Sequence, residues 1–182
     1  MKSESKSDWN GALAIATVTA AMKSVLVNGL VAYGNVQVSV QPPDKITVGE
    51  NEEGQLNLFL YRVAPYSRLF GGNPAKLALE LHYLLTAYSA QDFQTEILLG
   101  RSIQLFHERP VLAADELQRA VSELSLHHAK RGGKPAAAQL EEVKITPQFL
   151  SFEDMARLWS ALQARYRPSV AYQASAVILN GV

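Results

Sequence analysis

Two runs of alternating residues constrain the fold of this chain more than any other feature of its sequence. Between Gln55 and Val63 both sets of alternate positions are largely apolar. Leu56, Leu58 and Leu60 occupy one set, and Phe59, Tyr61 and Val63 occupy the other. Successive side chains of a strand point to opposite faces of its sheet, so this run predicts a strand covered on both faces, near the centre of the sheet. The run from Leu77 to Tyr88 predicts a second strand, although its many leucines leave a helix as an alternative.

Three further segments have the pattern of strands. Valines alternate with polar residues from Asn35 to Gln41, which predicts a half-buried strand that the next two prolines end. Val143 to Phe149 is a shorter candidate, interrupted by Pro147. Apolar and polar residues alternate from Ser169 to Leu179 and predict a long closing strand. The prolines and the glycine pair between Pro65 and Pro74 predict an exposed loop.

Four segments have the apolar spacing of helices. The first is capped by Ser7 or Asp8 and reaches the glycines at 29 and 34. The others are predicted from a capping box at Ser89 and Asp92 to Pro110, from Ala113 to Ala129, and from a second capping box at Ser151 and Asp154 through Leu162. For the second helix, the spacing predicts one helical face that consists of Phe93, Ile97, Gly100, Ile103 or Gln104, and Phe106 or His107.

The order of these elements is helix, strands, two helices, strand, helix, strand. Because loops and not crossover helices join the early strands, the order predicts an α+β fold with a mixed, mostly antiparallel sheet flanked by helices. The 182 residues show no sharp change of composition, so we expect one domain over residues 1–182.

Composition excludes several classes of partner. Seventeen basic residues balance seventeen acidic ones, so no net field draws the chain to nucleic acid or to an anionic membrane. The apolar stretch from Leu13 to Val31 contains too many polar residues to span a bilayer, and the diluted charge before it argues against a secretory signal. We therefore expect no nucleic-acid partner, no membrane partner and a cytosolic start.

No cofactor or metal site is predicted. The cluster of Arg131, Gly132, Gly133 and Lys134 lacks the serine or threonine and the preceding strand of a phosphate loop, so a mobile loop is the better interpretation. His127 and His128 are adjacent on a predicted helix, where side chains point about 100° apart and cannot readily share one metal ion.

Glu80 and His82 are the one pair that could carry acid–base chemistry. Two residues apart on a strand, they share a face, and a carboxylate could orient the imidazole. A satisfied polar pair or a partner contact is the preferred interpretation, because no nucleophile or substrate pocket accompanies them. We predict no catalytic residues, and a small hydrolase that uses this pair is kept as a remote alternative.

Arg165, Tyr166 and Arg167 place two cations around an aromatic ring. Such a cluster can anchor a protein interface. The alternative is that both arginines lie at the end of the last helix, where cations suit the helix dipole and need no ligand. The sequence leaves these two interpretations open.

Taken together, several segments resemble one known family. They are Pro42-Pro43-Asp44, Leu56 to Val63, Leu79 to Tyr88, Leu98 to Arg101, Pro110 to Leu112, Met155 to Leu162 and Tyr166 to Tyr172. In this order and spacing they resemble the cap, or tail-terminator, family of extracellular contractile injection systems such as Photorhabdus virulence cassettes and antifeeding prophages. The resemblance spans nearly the whole chain, although some members of the family carry further C-terminal sequence.

The resemblance implies a structural cap that closes the distal end of the tube and sheath and so fixes their length. It implies a ring, expected to be a hexamer, that binds inner tube and sheath proteins. Such a protein is made in the cytoplasm of the producing bacterium and then becomes part of a released extracellular particle. We further expect the closing strand to be an exposed edge that pairs with an arm of the sheath, with Ser175 and Val177 as contacts. A baseplate or adaptor protein of a similar particle, or a phage tail-completion protein, is the alternative.

Overall fold

The computed structural model describes residues 8–47, 54–65, 76–129 and 142–180, with side chains for 13–47, 54–65, 78–125 and 142–175. The predicted loop between Pro65 and Pro74 and the glycine cluster at 131–134 lie almost wholly outside these residues. The helices and strands, in chain order, are α1 Asp8–Gly29, β1 Gln37–Ser39, β2 Gln55–Pro65, β3 Lys76–Tyr88, α2 Gln94–Glu108, β4 Val111–Leu112, α3 Ala114–Ala129, β5 Val143–Gln148, α4 Phe152–Ala161 and β6 Ser169–Asn180.

The six strands form one sheet in the order β1-β2-β3-β6-β5-β4. β1 runs parallel to β2, and the other neighbours are antiparallel. The predicted α+β class with a mixed, mostly antiparallel sheet is confirmed. The centre of the sheet is the β3–β6 pair, so the central place predicted for β2 is wrong: β1 covers it only at residues 55–57.

Two β-bulges change which face of the sheet the side chains of the long strands point to. Along β2 the register passes from Leu60 opposite Tyr83 to Arg62 opposite His82 and Val63 opposite Leu81. The extra residue returns Val63 to the face of Leu60, although simple alternation predicts the other face. A second bulge interrupts the β3–β6 pairing between Leu79, which lies opposite Val177, and Leu81, which lies opposite Ala174.

One face of the sheet carries the main core. Helices α1, α2 and α3 cover this face, which we call the apolar face. The largest of its fully buried side chains are Tyr83, Met22, Leu26, Leu30, Leu56, Leu58, Leu81, Leu85, Leu98 and Leu112. Helix α1 approaches α2 so closely at Gly29 that a Cβ there would overlap the side chain of Leu105. The close approach explains why glycine ends this helix.

Among the described residues, the short helix α4 is the only helix on the opposite face. Leu84, Met155 and Trp159 form a second, smaller core between this helix and the sheet. The predicted cap of α4 is confirmed, because the hydroxyl of Ser151 accepts a hydrogen bond of 3.1 Å from the amide of Asp154. We call this side the α4 face.

The predicted face of α2 is wrong except at Phe106, which is buried. The buried residues of α2 are Leu98, Ser102, Leu105 and Phe106, whereas Phe93, Ile97 and Ile103 are exposed. The predicted capping box is wrong as well, since the hydroxyl of Ser89 accepts from the amide of Gln91 in a turn and the helix begins only at Gln94. Residues 89–93 form a turn, and the point at which the chain leaves this turn decides which face of α2 meets the sheet.

The half-buried strand predicted from Asn35 to Gln41 shrinks to three residues. Val38 is buried, whereas Val40 is 40% exposed. Gly34 has a φ of 93°, in the left-handed region that glycine tolerates, and so turns the chain just before β1. The strand ends at Ser39, before it reaches the prolines at 42 and 43 that were predicted to end it.

Candidate interaction surfaces

The closing strand β6 is not the exposed edge that the sequence analysis predicted. It lies between β3 and β5, and Ser175 is paired across to Lys144 of β5. The prediction that a partner strand pairs at Ser175 is therefore wrong, because β5 already pairs with β6 at this position. Val177 is paired with Leu79 of β3, and within the described residues no strand lies on its other side. A partner contact at Val177 stays a prediction.

The segment from Arg165 to Arg167 lies beyond the end of α4, which finishes at Ala161. The interpretation of both arginines as charges on the helix dipole is therefore wrong, because the last turn of the helix contains neither of them. The guanidinium carbon of Arg167 lies 4.8 Å from the centre of the Tyr88 ring, a cation–π contact that anchors the segment on the sheet. Arg165 is exposed.

Three exposed aromatic residues gather around the two ends of α4. Phe149 is 95% exposed, Phe152 76% and Tyr166 48%. The Tyr166 ring lies 5.8 Å from that of Phe152 and 6.2 Å from the largely buried ring of Trp159. We call Phe149, Phe152 and Tyr166 the aromatic patch. Aromatic rings in contact with solvent are typical of protein interfaces.

The sequence analysis found Tyr166 but missed the two phenylalanines. It placed Phe149 at the end of a predicted strand and included Phe152 in the last predicted helix without singling it out. The structure ends β5 at Gln148 and starts α4 at Phe152, so neither phenylalanine is in the interior of its element. The available signal was their position at an element boundary, beside the capping serine Ser151.

Beside α4, the same face carries a chain of polar side chains across three strands. The Nδ1 atom of His82 lies 2.8 Å from Oε1 of Gln148, whose Nε2 donates to Oε1 of Gln173 over 2.8 Å. Nε2 of Gln173 in turn donates to the hydroxyl of Ser175 over 3.1 Å. We call these four residues the polar network. They join β3, β5 and β6 through side chains as well as through the backbone.

Glu80 and His82 do share a face, as predicted. Nε2 of His82 lies 3.8 Å from the Glu80 carboxylate and makes no hydrogen bond. His82 is buried, with an exposed fraction of 5%. Nδ1 is engaged by Gln148, so the imidazole is held inside the sheet and not presented to a substrate. The geometry supports the polar-pair interpretation over the hydrolase alternative.

Four tyrosines on the two faces have different electrostatic surroundings. On the apolar face burial raises the pKa of Tyr172 to about 12. Burial also raises the pKa of Tyr83 above the usual range, although its hydrogen bond with the Thr19 hydroxyl partly opposes this effect. On the α4 face burial also raises the pKa values of Tyr61 and Tyr88, but neighbouring arginines oppose this effect. The apolar face is thus the less polar of the two.

The two edges of the sheet also differ. At the outer edge of β5, the amide of Ile145 donates to the carbonyl of Pro110 over 2.7 Å. Residues two apart in a strand present their amides to the same side, so Pro147 occupies the next outward position and offers no N–H there. At the other edge, β2 continues from Leu58 to Pro65 past the end of β1.

A groove runs beside this open β2 edge on the apolar side of the sheet. Its volume is about 870 Å³. Ala16, Ala20 and Ser24 belong to its α1 wall, Val40 and Leu60 to its sheet side, and Glu123 and Leu124 to its α3 wall. The small residues follow one another at four-residue intervals along α1, which leaves room above the helix.

In the described part of the chain, no group of three His, Asp or Glu side chains could hold a metal ion. Nor does any helix there reach the length and hydropathy that crossing a bilayer requires.

The fold is a sheet-and-helix module, and its most conspicuous surface features are the aromatic patch, the open edge of β2 and the groove beside it. The chain belongs to the family described as Pvc16 N-terminal domain, whose model matches residues 17–182. A search of curated proteins finds no match to the chain.

Two solved structures share the fold. One is described as the PVC sheath/tube terminator of an extracellular contractile injection system in its extended state; it is 15% identical, with a TM-score of 0.58, over 91% of this chain and 56% of that one. The other is the cap of the anti-feeding prophage, described as a tube terminating cap, which is 14% identical, with a TM-score of 0.55, over 87% of this chain and 54% of that one. The chain therefore corresponds to little more than half the length of these proteins.

Proposed function

We propose that this chain is a structural cap, or tail terminator, of a contractile injection particle. It closes the distal end of the tube and sheath, stops their polymerisation and thereby fixes their length. Residues 1–182 act as one tail-terminator domain, and the chain has no enzymatic role. The observation that carries this proposal is the match of the fold, over 91% of the chain, to a sheath/tube terminator.

A terminator must bind a polymer end without offering a new copy of that end. A ring that closes on itself satisfies this condition through a heterologous interface, in which two different surfaces of neighbouring copies meet. We propose a hexameric ring that contacts inner tube and sheath proteins, with no nucleic acid and no membrane as partners. The ring assembles in the cytoplasm of the producing bacterium and leaves it as part of the particle.

The aromatic patch is our candidate for one of these contacts. Phe149 and Phe152 are too exposed to stabilise the isolated fold, and Tyr166 extends the patch toward Arg165. Aromatic and arginine side chains supply much of the binding energy at protein interfaces, where they become desolvated. The predicted interface at Arg165, Tyr166 and Arg167 therefore stays in the proposal, with Arg167 as its anchor on Tyr88.

The test is deletion of the gene in the producing bacterium, followed by electron microscopy of the assembled particles. We expect tubes and sheaths of irregular length, and restoration of uniform length when the wild-type chain is supplied. Uniform lengths without the chain would refute a terminator role.

A second measurement separates the cap from a baseplate or adaptor protein. A label fused to the chain should mark the end of the particle away from the baseplate. A label at the baseplate end would support the alternative.

A further inference from the structure

The open edge of β2 is a polar backbone surface that lies beside an apolar groove. From Leu58 to Pro65 the described residues give β2 a strand partner on one side only, β3. Unpaired N–H and C=O groups along a strand edge form a template on which another extended segment can pair. Leu60 is both part of this strand and part of the groove, so the two features are continuous.

The chain itself shows how this edge takes a strand. β1 pairs with β2 at residues 55–57, and its central residue Val38 is 7% exposed because it points into the core. The flanking Ser39 is half-buried on the opposite face and donates a hydrogen bond of 2.8 Å to the side-chain oxygen of Asn57, which is itself buried. An apolar residue on the core face and a small polar residue on the opposite face is therefore the pattern that this edge already accepts.

The groove continues that inward side beyond the end of β1. The small residues on α1 leave space where a bulkier helix face would fill it, and Leu60, Val40 and Leu124 line it with apolar surface. Its charged lining residues, Lys23 and Glu123, are one of each sign, so the groove favours apolar and neutral side chains over a strongly charged segment.

We propose that this edge and groove form a strand-acceptor site for an extended segment of a partner protein. The segment pairs with β2 between Leu58 and Ala64, on either side of the bulge between Leu60 and Arg62, with apolar side chains on the groove side and polar ones on the opposite face. This inference rests on the proposed function, because it places the partner among the other proteins of the particle.

A second copy of the chain is the less favourable occupant. To continue the sheet from copy to copy, the opposite edge of the neighbour would have to pair with β2. That edge carries Pro147 at an outward position, where it has no N–H to donate. A sheet that continues head to tail from copy to copy is therefore disfavoured at this site.

The test uses the whole chain in assembled particles, with a photoreactive benzoylphenylalanine in place of Val40 beside the groove. The matched control carries the same substitution at Ile103, which is similarly exposed on α2 and does not line the groove. We expect the Val40 probe to cross-link to another particle protein, within a segment of alternating apolar residues. Cross-links to a second copy, or to a helical segment, would overturn the proposal.

A pair of variants checks that the groove itself is required. Ser24→Arg places a long charged side chain in the groove from an exposed position, and Ser122→Arg makes the same change on the exposed side of α3. We expect Ser24→Arg to lower the cross-link yield about tenfold, as the loss of one interface anchor does, while Ser122→Arg leaves it unchanged. Equal yields in both variants would overturn the site.

Microscopy of the same particles keeps the two proposals apart. If the chain is absent from the particle end, the terminator role fails. If the chain is present there and the Val40 probe gives no cross-link, the strand-acceptor site fails while the terminator role stands.

Discussion

The two faces of the sheet are covered in different ways. Three helices close the apolar face over a continuous core, whereas α4 covers only part of the other face and leaves a polar network and exposed aromatic residues beside it. Burial of apolar area is the main stabilising term in folding, so we assign most of the stability to the apolar face. The α4 face contributes less to stability and leaves the aromatic patch exposed to solvent.

The largest effect is expected inside the main core. Leu58→Ala removes a fully buried side chain from β2 and should lower the free energy of unfolding by about 3 kcal/mol, because the cavity cannot fully close. Chemical denaturation measures the change. Val63→Ala on the same face is the control and, being 45% exposed, should cost about 0.5 kcal/mol. Similar losses in the two variants would contradict the difference in burial.

A smaller effect is expected in the polar network. Gln148→Ala leaves Nδ1 of His82 and Oε1 of Gln173 without their shared partner, which should cost about 1.5 kcal/mol. Thr146→Ala, on the same face of β5 but exposed, is the control and should change stability little. If Gln148→Ala proves neutral in denaturation, water replaces the glutamine and the network does not hold the strands together.

The tyrosines give a pH-dependent difference between the faces. Because burial raises the pKa of Tyr172 to about 12 from an ordinary value of 10.0, the folded state holds this proton more tightly than the unfolded state does. Its contribution to stability is complete below pH 10 and is lost as the pH rises toward 12. Unfolding measured between pH 9 and pH 11.5 should therefore show a decline that is shallower in Tyr172→Phe.

An absorbance titration of the phenolate provides the check on that assignment. In the folded protein the Tyr172→Phe variant should lack one group that titrates near pH 12. The same alkaline decline in both proteins would show that other groups cause it.

The smallest effect on stability is expected at the aromatic patch. Phe149→Ser and Phe152→Ser should each change the free energy of unfolding by less than about 0.5 kcal/mol, because both rings are mostly exposed. If the patch is a ring or particle contact, the same variants should reduce the number of capped particles seen by electron microscopy. Ile103→Ser, on exposed α2 surface, is the control. Full capping in both phenylalanine variants would remove the patch from the proposed interface.

Elements whose signal is local were predictable. Alternation along β3 gave a strand with the correct ends to within one residue, and Ser151 before Asp154 gave the correct cap of α4. In each case, the interactions that decide the structure lie within a few residues of one another.

Features that depend on distant partners were not predictable. The phase of α2 follows from its contact with α1 and the sheet, and its apolar residues satisfy more than one helical face. The bulge after Leu60 shifts parity without any glycine or proline to mark it in the sequence. For the interface, Phe149 and Phe152 were missed because exposure depends on where β5 ends and α4 begins.

The amino-acid sequence by itself determined the α+β class, the order of the elements and the neutral, cysteine-free surface, because propensity, periodicity and charge are properties of neighbouring residues. Only the tertiary structure decided that β6 lies at the centre of the sheet and that the open edge belongs to β2. Strand order depends on pairings between residues far apart in the chain, whose stabilisation comes from the assembled sheet, and local alternation is the same in a central strand and in an edge strand.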